Sequence, residues 1–410
     1  MRRLNISPVI LTIAVLAALY GWAVLVTTPT HPGSIGFNLN ALGTDWMVFY
    51  SGVQWFFDGN LAALFDGDRF TAYLNSNFSD WLSAPVSFRP WVYPPTYLLV
   101  MLPFGALPFT ASYVAFQLAS AVLFAAALYF YADRPNARVL VIAAALLGPA
   151  AAINAAMGQN AFLTAALLVG GFRVLRTCPA LGGAILGILT IKPHFWLLVP
   201  VALAAEREWK ALSWSILSAV GLALASVAVF GVDSWLRWLD LALGSYADAH
   251  GKWVELGRMW GESIYACLIS AGAPESLANG AQIAGILVGI GLVYGAFRQS
   301  LPNDQKIAIL LAVTILAAPH SSLADTVLLA AAAALWCEEA VQHGQPLAKW
   351  VSAFAIWLAP LFNPPLVSAP GRFTPLLILA FAAVTMAGAG RPGRPGLFTA
   401  VKAPPAPRAS

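Results

Sequence analysis

The chain has 410 residues, 60% of them hydrophobic and only 10% charged, with a net charge of +4. A soluble domain carries about 25% charged residues, so the composition excludes an ordinary soluble protein. The scattered basic residues form no stripe for nucleic acid, and the three cysteines, Cys178, Cys267 and Cys337, imply no disulfide framework.

The fold class that follows is all-α and polytopic, because backbone crossing lipid must satisfy its own hydrogen bonds. The first predicted element is an apolar run at about 9–27, behind Arg2 and Arg3. It has no Ala-x-Ala cleavage site and reads as a retained helix rather than a signal peptide. Further spans are predicted at about 111–132, 139–156, 160–175, 179–191, 193–205, 211–231, 278–297, 306–319, 322–341, 350–367 and 374–390, about twelve in all.

Charge placement orients this map. With the N-terminus in the cytoplasm, 15 of the 22 basic residues fall inside, among them Arg134, Arg138, Arg173, Arg176, Arg298 and Lys306. Both termini are then cytoplasmic, and residues 1–390 form one transmembrane domain. Two long segments, 28–110 and 232–277, fall outside, and both are net acidic. Within the first, Phe49, Val53, Phe56 and Phe57 recur at helical spacing, which predicts a helix along the membrane surface. Residues 96–109 are apolar, too short to span, and interrupted by Pro103 and Pro108. They predict a re-entrant or interfacial helix. The Gly/Pro-rich tail 391–410 predicts a disordered cytoplasmic segment. The pairs Gly183/Gly187, Gly285/Gly289 and Gly291/Gly295 predict close helix contacts.

Asp45 is the leading candidate for chemistry. It opens the aromatic run Asp45-Trp46-Met47-Val48-Phe49-Tyr50 beyond the first span. A carboxylate at the outer rim can serve as a general base for a substrate arriving through the bilayer. The bland reading is that Thr44 or Asp45 caps the helix that follows.

Lys192, in Lys192-Pro193-His194, breaks an apolar stretch into two helices of about 12 residues, each rising about 18 Å. An ammonium at that depth needs an anion, and a lipid phosphate is the natural candidate; His194 accompanies it. The bland reading is a snorkelling lysine. His320 follows Pro319 at the outer end of a span, where a histidine can hold a proton or phosphate. Asp325, a turn later, pairs or caps. Arg89 precedes the Tyr93-Pro94-Pro95 turn and binds phosphate or an acid. Gln159 and Asn160 cap a span or bond sugar hydroxyls. Trp260, with Trp235, Trp238 and Trp253, offers a ring to a sugar face or anchors the second outer segment at the interface. There is no P-loop, GxSxG, HExxH or metal-spaced Cys/His cluster. The sequence therefore requires neither a cofactor nor a divalent metal.

Gly43-Thr44-Asp45-Trp46 with Phe49-Tyr50, then Tyr93-Pro94-Pro95, Gly158-Gln159-Asn160, Lys192-Pro193, and Pro319-His320 with Asp325, in that order and sidedness, resemble glycosyltransferase family 87. The resemblance runs from about residue 9 to 385. It implies a GT-C-like membrane fold. It also implies transfer of a sugar, mannose first, from a polyprenyl-phosphate donor to a lipid or envelope glycan acceptor on the outer face of the plasma membrane. By the same resemblance, Asp45 corresponds to the catalytic acid of the first loop and His320 to a second active-site residue. Lys192, Arg89 and His194 would then lie near the donor phosphate. Tyr50, Tyr93, Gln159, Asn160 and Trp260 would contact substrate, and no metal is expected. The competing readings are a carrier of the major-facilitator type and a catalytically silent scaffold of envelope assembly. A carrier of that type usually has a long central cytoplasmic loop, whereas the linker near 206–210 is short.

Overall fold

The structure, a computed structural model, describes residues 15–19, 42–82, 84–132, 135–242, 250–343, 346–362 and 372–387. Regular structure among them is helical throughout. The one exception is an isolated antiparallel bridge between Gly261 and Ser322. The expected first span at 9–27, apart from 15–19, and the expected tail at 391–410 lie outside the described residues.

Three helices are long and apolar enough to cross a membrane: Phe109–Tyr131, Trp209–Phe230 and Glu275–Arg298. At about 1.5 Å per residue each exceeds a hydrocarbon core of about 30 Å. Leu118, Val122, Leu217, Leu224, Ile283 and Leu287 on these helices are exposed, as side chains facing lipid would be. A fourth crossing results if Ala137–Leu146 and Pro149–Met157, bent by 51° at the break, count as one. Several other predicted spans are shorter helices among the described residues. Ala161–Leu175, Pro179–Ile191, Pro193–Ala205, Leu347–Phe362 and Thr374–Met386 are apolar helices of 10–17 residues. The twelve crossings read from hydropathy are thus not all helices of spanning length. Apolar runs here serve a buried core as well as lipid: the helix Asn303–Ala317 is buried from Gln305 to Ala317.

Small residues set the helix contacts. A Cβ at Gly183 would meet the Ala211 carbonyl oxygen at 2.1 Å, and one at Gly187 the Ser215 carbonyl oxygen at 2.2 Å. Pro179–Ile188 therefore lies against Trp209–Phe230 backbone to backbone. A Cβ at Gly285 would likewise strike Ile264 at 2.1 Å, whereas Gly291 faces open space and makes no such contact.

The helix Thr44–Phe57, predicted along the membrane surface, turns its apolar stripe into protein. Trp46, Met47, Phe49 and Val53 are at most 2% exposed. They pack into a second, aromatic core with Trp91, Tyr93, Tyr97 and Phe116. Trp46 stacks on Phe116 at 4.7 Å, and Phe49 meets Tyr93 and Tyr97 edge-on at 5.2 and 5.0 Å. Each such pair adds about 0.5–1.5 kcal/mol beyond buried area. The helical period was correct, but the apolar stripe found protein. The short helix at 95–105 is present, and its 11 residues rise only about 16 Å.

The two acidic segments pack on each other. Lys252 Nζ lies 2.5 Å from Asp68 Oδ1, the Phe88 and Trp253 rings meet at 5.5 Å, and Trp238 Nε1 donates to the Val92 carbonyl at 3.2 Å. Asp66 caps the helix Gly67–Asn77 by accepting from the Arg69 N–H.

Candidate active site

Two glycine turns place Asp45. Gly43 is the N-cap of Thr44–Phe57 with φ +70°, and Gly158 ends Pro149–Met157 with φ +73°. Both occupy the left-handed region that disfavours a side chain. The turns touch: the Gly43 N–H donates to the Ala156 carbonyl at 2.7 Å. A Cβ at Gly158 would sit 2.6 Å from Trp46 Cβ. The segments Gly43–Trp46 and Gly158–Asn160, distant in sequence, are therefore one structural unit.

Asp45 does not cap its helix. Its Oδ2 accepts from Gln159 Nε2 at 3.1 Å. Gln159 Oε1 in turn accepts from the Tyr93 hydroxyl at 3.2 Å and from the Asn160 N–H at 2.9 Å. Gln117 and Asn154 brace this turn: Gln117 Nε2 donates to the Gln159 carbonyl, Asn154 Nδ2 to Gln117 Oε1, and the Ala161 N–H to Asn154 Oδ1.

Asp45 is half-buried by its accessible surface yet lies deep among protein atoms, and the enclosure governs its proton affinity. Burial holds its carboxyl above the usual carboxylate range. The Arg89 charge and the Gln159 amide pull it back, Asp325 raises it again, and Lys192 lowers it. Arg89 is buried and faces this acid.

Lys192 sits where Leu189–Ile191 breaks to Pro193–Trp196, and it is 4% exposed. Its anion in the structure is Asp325: Nζ donates to Oδ1 at 2.5 Å, so the isolated lysine expected to await a lipid phosphate is instead half of a buried pair. Asp325 uses its other oxygen in a capping box, accepting from the Ser322 N–H at 2.8 Å. Lys192 Nζ also lies 4.4 Å from the Phe195 ring centre and 5.9 Å from that of Tyr93. Contacts therefore run unbroken from Lys192 through Tyr93 and Gln159 to Asp45.

The structure brings Asp45, Arg89, Tyr93, Gln159, Asn160 and Lys192 together with Asp325. His194 and His320 sit beside one another at the edge of this group, near enough to interact electrostatically. His194 Nε2 is buried without a hydrogen-bond partner among the described residues. His320 is exposed at its own surface but enclosed on a larger scale, and the burial lowers its proton affinity. Neither atom of the Asn160 amide has a partner of full hydrogen-bond geometry among the described residues, although the amide lies beside the Tyr93 and Tyr97 hydroxyls.

Tyr50 is not part of the group. Five residues past Asp45 it is rotated about 140° around the helix, and its ring packs on Phe109 at 5.5 Å. Trp260 ends the helix His250–Trp260, and its side chain lies outside what is described.

Sequence reasoning passed over Glu262. It is fully buried, its N–H donates to the Ser321 carbonyl at 2.7 Å, and its carboxyl lies beside Thr374, Arg372 and Asp325. Burial pushes it up to about 7. The sequence places it only among the tryptophans of the second outer segment, and the Gly261–Ser322 bridge reveals its setting.

A multi-helix membrane bundle with a buried acid, two buried cations and amide side chains at one end defines a membrane glycosyltransferase once the comparison with known families is added. The model of glycosyltransferase family 87 matches residues 91–319, more than half of the chain, and the chain belongs to that family. The match contains Tyr93, Gln159, Asn160, Lys192 and Glu262, while Asp45, His320 and Asp325 lie outside it. No curated protein and no solved structure matches the chain.

Proposed function

We propose that this glycosyltransferase moves a hexose or pentose, mannose foremost, from a polyprenyl-phosphate donor to a lipid or envelope glycan acceptor at the outer face of the plasma membrane. Asp45 is the general base. The observation that supports this most is the linked set Asp45–Gln159–Tyr93 beside the Lys192–Asp325 pair, an acid and a buried cation in one neighbourhood.

The reaction needs one base. The acceptor oxygen attacks the anomeric carbon while Asp45 takes its proton. The bond from that carbon to the phosphate oxygen breaks, and its electron pair leaves on polyprenyl phosphate. Attack opposite the leaving group inverts the centre. The leaving group already stabilises its charge, so no second carboxyl has to protonate it, unlike glycosidic oxygen in a hydrolase. Negative charge grows on the departing phosphate, and Lys192 and Arg89 are the cations placed to offset it. The Asn160 amide, beside the Tyr93 and Tyr97 hydroxyls, suits a sugar hydroxyl. The remaining helices take a GT-C-like arrangement with both termini in the cytoplasm.

The test is to incubate purified protein with a panel of radiolabelled polyprenyl-phosphate sugars and a membrane lipid extract. Movement of one label into lipid or glycan supports the reading. Transfer only from nucleotide sugars overturns the donor assignment.

A further inference from the structure

The chain returns to the active site a second time, at residues 261–263. Gly261 bridges to Ser322, and the Glu262 N–H holds the Ser321 carbonyl at 2.7 Å. Ser263 caps the next helix by accepting from the Ala266 N–H. From the other side, the Arg372 guanidinium donates to the Gly261 and Arg258 carbonyls. The Glu262 carboxyl is sealed at the centre of this junction, fully buried, beside Thr374 and Arg372 but with no hydrogen bond of full geometry to either oxygen among the described residues. The junction holds the 319–325 turn, which carries His320 and whose Asp325 receives Lys192.

We propose that Glu262 is a positioning residue for transfer. Its protonated form sets the 319–325 turn so that His320 and the Lys192–Asp325 pair stand correctly toward the donor phosphate. This rests on the glycosyltransferase reading above.

Two physical effects connect the carboxyl to the site. A buried carboxylate with Thr374 as its one hydrogen-bonding neighbour is costly, so ionisation favours rearranging the junction or drawing Arg372 from the carbonyls it binds. Ionisation also places a second negative charge beside Asp325, which holds Lys192 more tightly to the protein and opposes an incoming phosphate. The groups facing Glu262 are Arg372 and Thr374 from the C-terminal element, Asp325 from the turn and Cys267 from the following helix. Burial raises the carboxyl most; the Thr374 hydroxyl and Arg372 favour the charged form, Asp325 disfavours it, and the midpoint stands at about 7. Activity therefore requires Asp45 ionised and Glu262 neutral, and it declines as pH rises past that midpoint.

The experiment compares wild type, Glu262→Gln and Glu262→Asp in detergent, measuring kcat/KM for donor and melting temperature from about pH 5.5 to 8.5. A wild-type descending limb near neutrality is expected, falling about tenfold per pH unit beyond the midpoint. It should be absent in Glu262→Gln and retained, with a shifted midpoint, in Glu262→Asp. Wild-type melting temperature should fall from about pH 5.5 up to that midpoint and level off beyond it, because a carboxyl with raised proton affinity loses its stabilising neutral form between its unfolded and folded values. Glu262→Gln should flatten that slope. A limb and a melting slope that persist in Glu262→Gln overturn the proposal. If wild type transfers no sugar from any polyprenyl donor, the donor assignment above fails. The melting slopes then still decide whether Glu262 titrates at this junction.

Discussion

Gln159 donates its amide to Asp45 Oδ2 at 3.1 Å while its own carbonyl oxygen accepts from Tyr93. This fixes the direction of the glutamine, because only the amide nitrogen can donate to a carboxylate. The bond favours the ionised acid and so tunes the base. Replacing Gln159 with leucine should move the ascending limb of kcat/KM to higher pH, since burial then acts with one opposing influence fewer. A pH profile of the variant checks this, and an unmoved limb would detach Gln159 from the base.

Asp45→Asn should abolish transfer and yet stabilise the fold. The wild-type acid is held above its ordinary proton affinity, so its stabilising neutral form is lost as pH rises and the ionised form carries a penalty at neutral pH. The variant should melt above wild type at about pH 8 and approach it at about pH 4. Scanning calorimetry at the two pH values measures the difference.

Lys192 and Asp325 stand or fall together. Removing the lysine alone leaves a buried carboxylate behind, and breaking such a pair costs about 3–5 kcal/mol. Lys192→Met should therefore lose much folded protein. The double variant Lys192→Met, Asp325→Asn should recover the fold, because asparagine can still accept from the Ser322 N–H, while transfer remains absent. Recovery of transfer in the double variant would show that the ammonium group has no part in the chemistry.

Gly158→Ala should be among the most damaging single-methyl changes in the chain. It places a side chain at φ +73°, at a cost of about 1–2 kcal/mol, and drives Cβ to within 2.6 Å of Trp46 Cβ. Gly221→Ala, where the added carbon meets nothing within 4 Å, is the control and should be neutral or mildly stabilising. Melting temperatures of the two proteins decide it.

Residues with an unusual chemical setting were legible in the sequence. Asp45 stood out as an acid opening an aromatic run, Lys192 as a charge splitting an apolar stretch, and Gly158-Gln159-Asn160 as a polar break between helices. What the sequence could not convey was who meets whom. Lys192 called for an anion, and the fold supplies Asp325 from 133 residues away. Tyr50 shares a motif with Asp45, but the helical period turns it toward Phe109. Glu262 carries no local mark, because its burial comes from a bridge to Ser322 and a guanidinium near the C-terminal helix. Hydropathy could not tell core from lipid, since the apolar stretch 307–317 of the helix Asn303–Ala317 is buried in protein.

The most direct test of the central claim is single-turnover transfer by wild type and Asp45→Asn. A polyprenyl-phosphate sugar that wild type uses serves as donor, and folded protein is matched by melting curve. The account predicts that the variant binds donor with near-wild-type affinity and transfers at least about a hundredfold more slowly, the scale of a lost general base. Transfer by folded Asp45→Asn at the wild-type rate would contradict it.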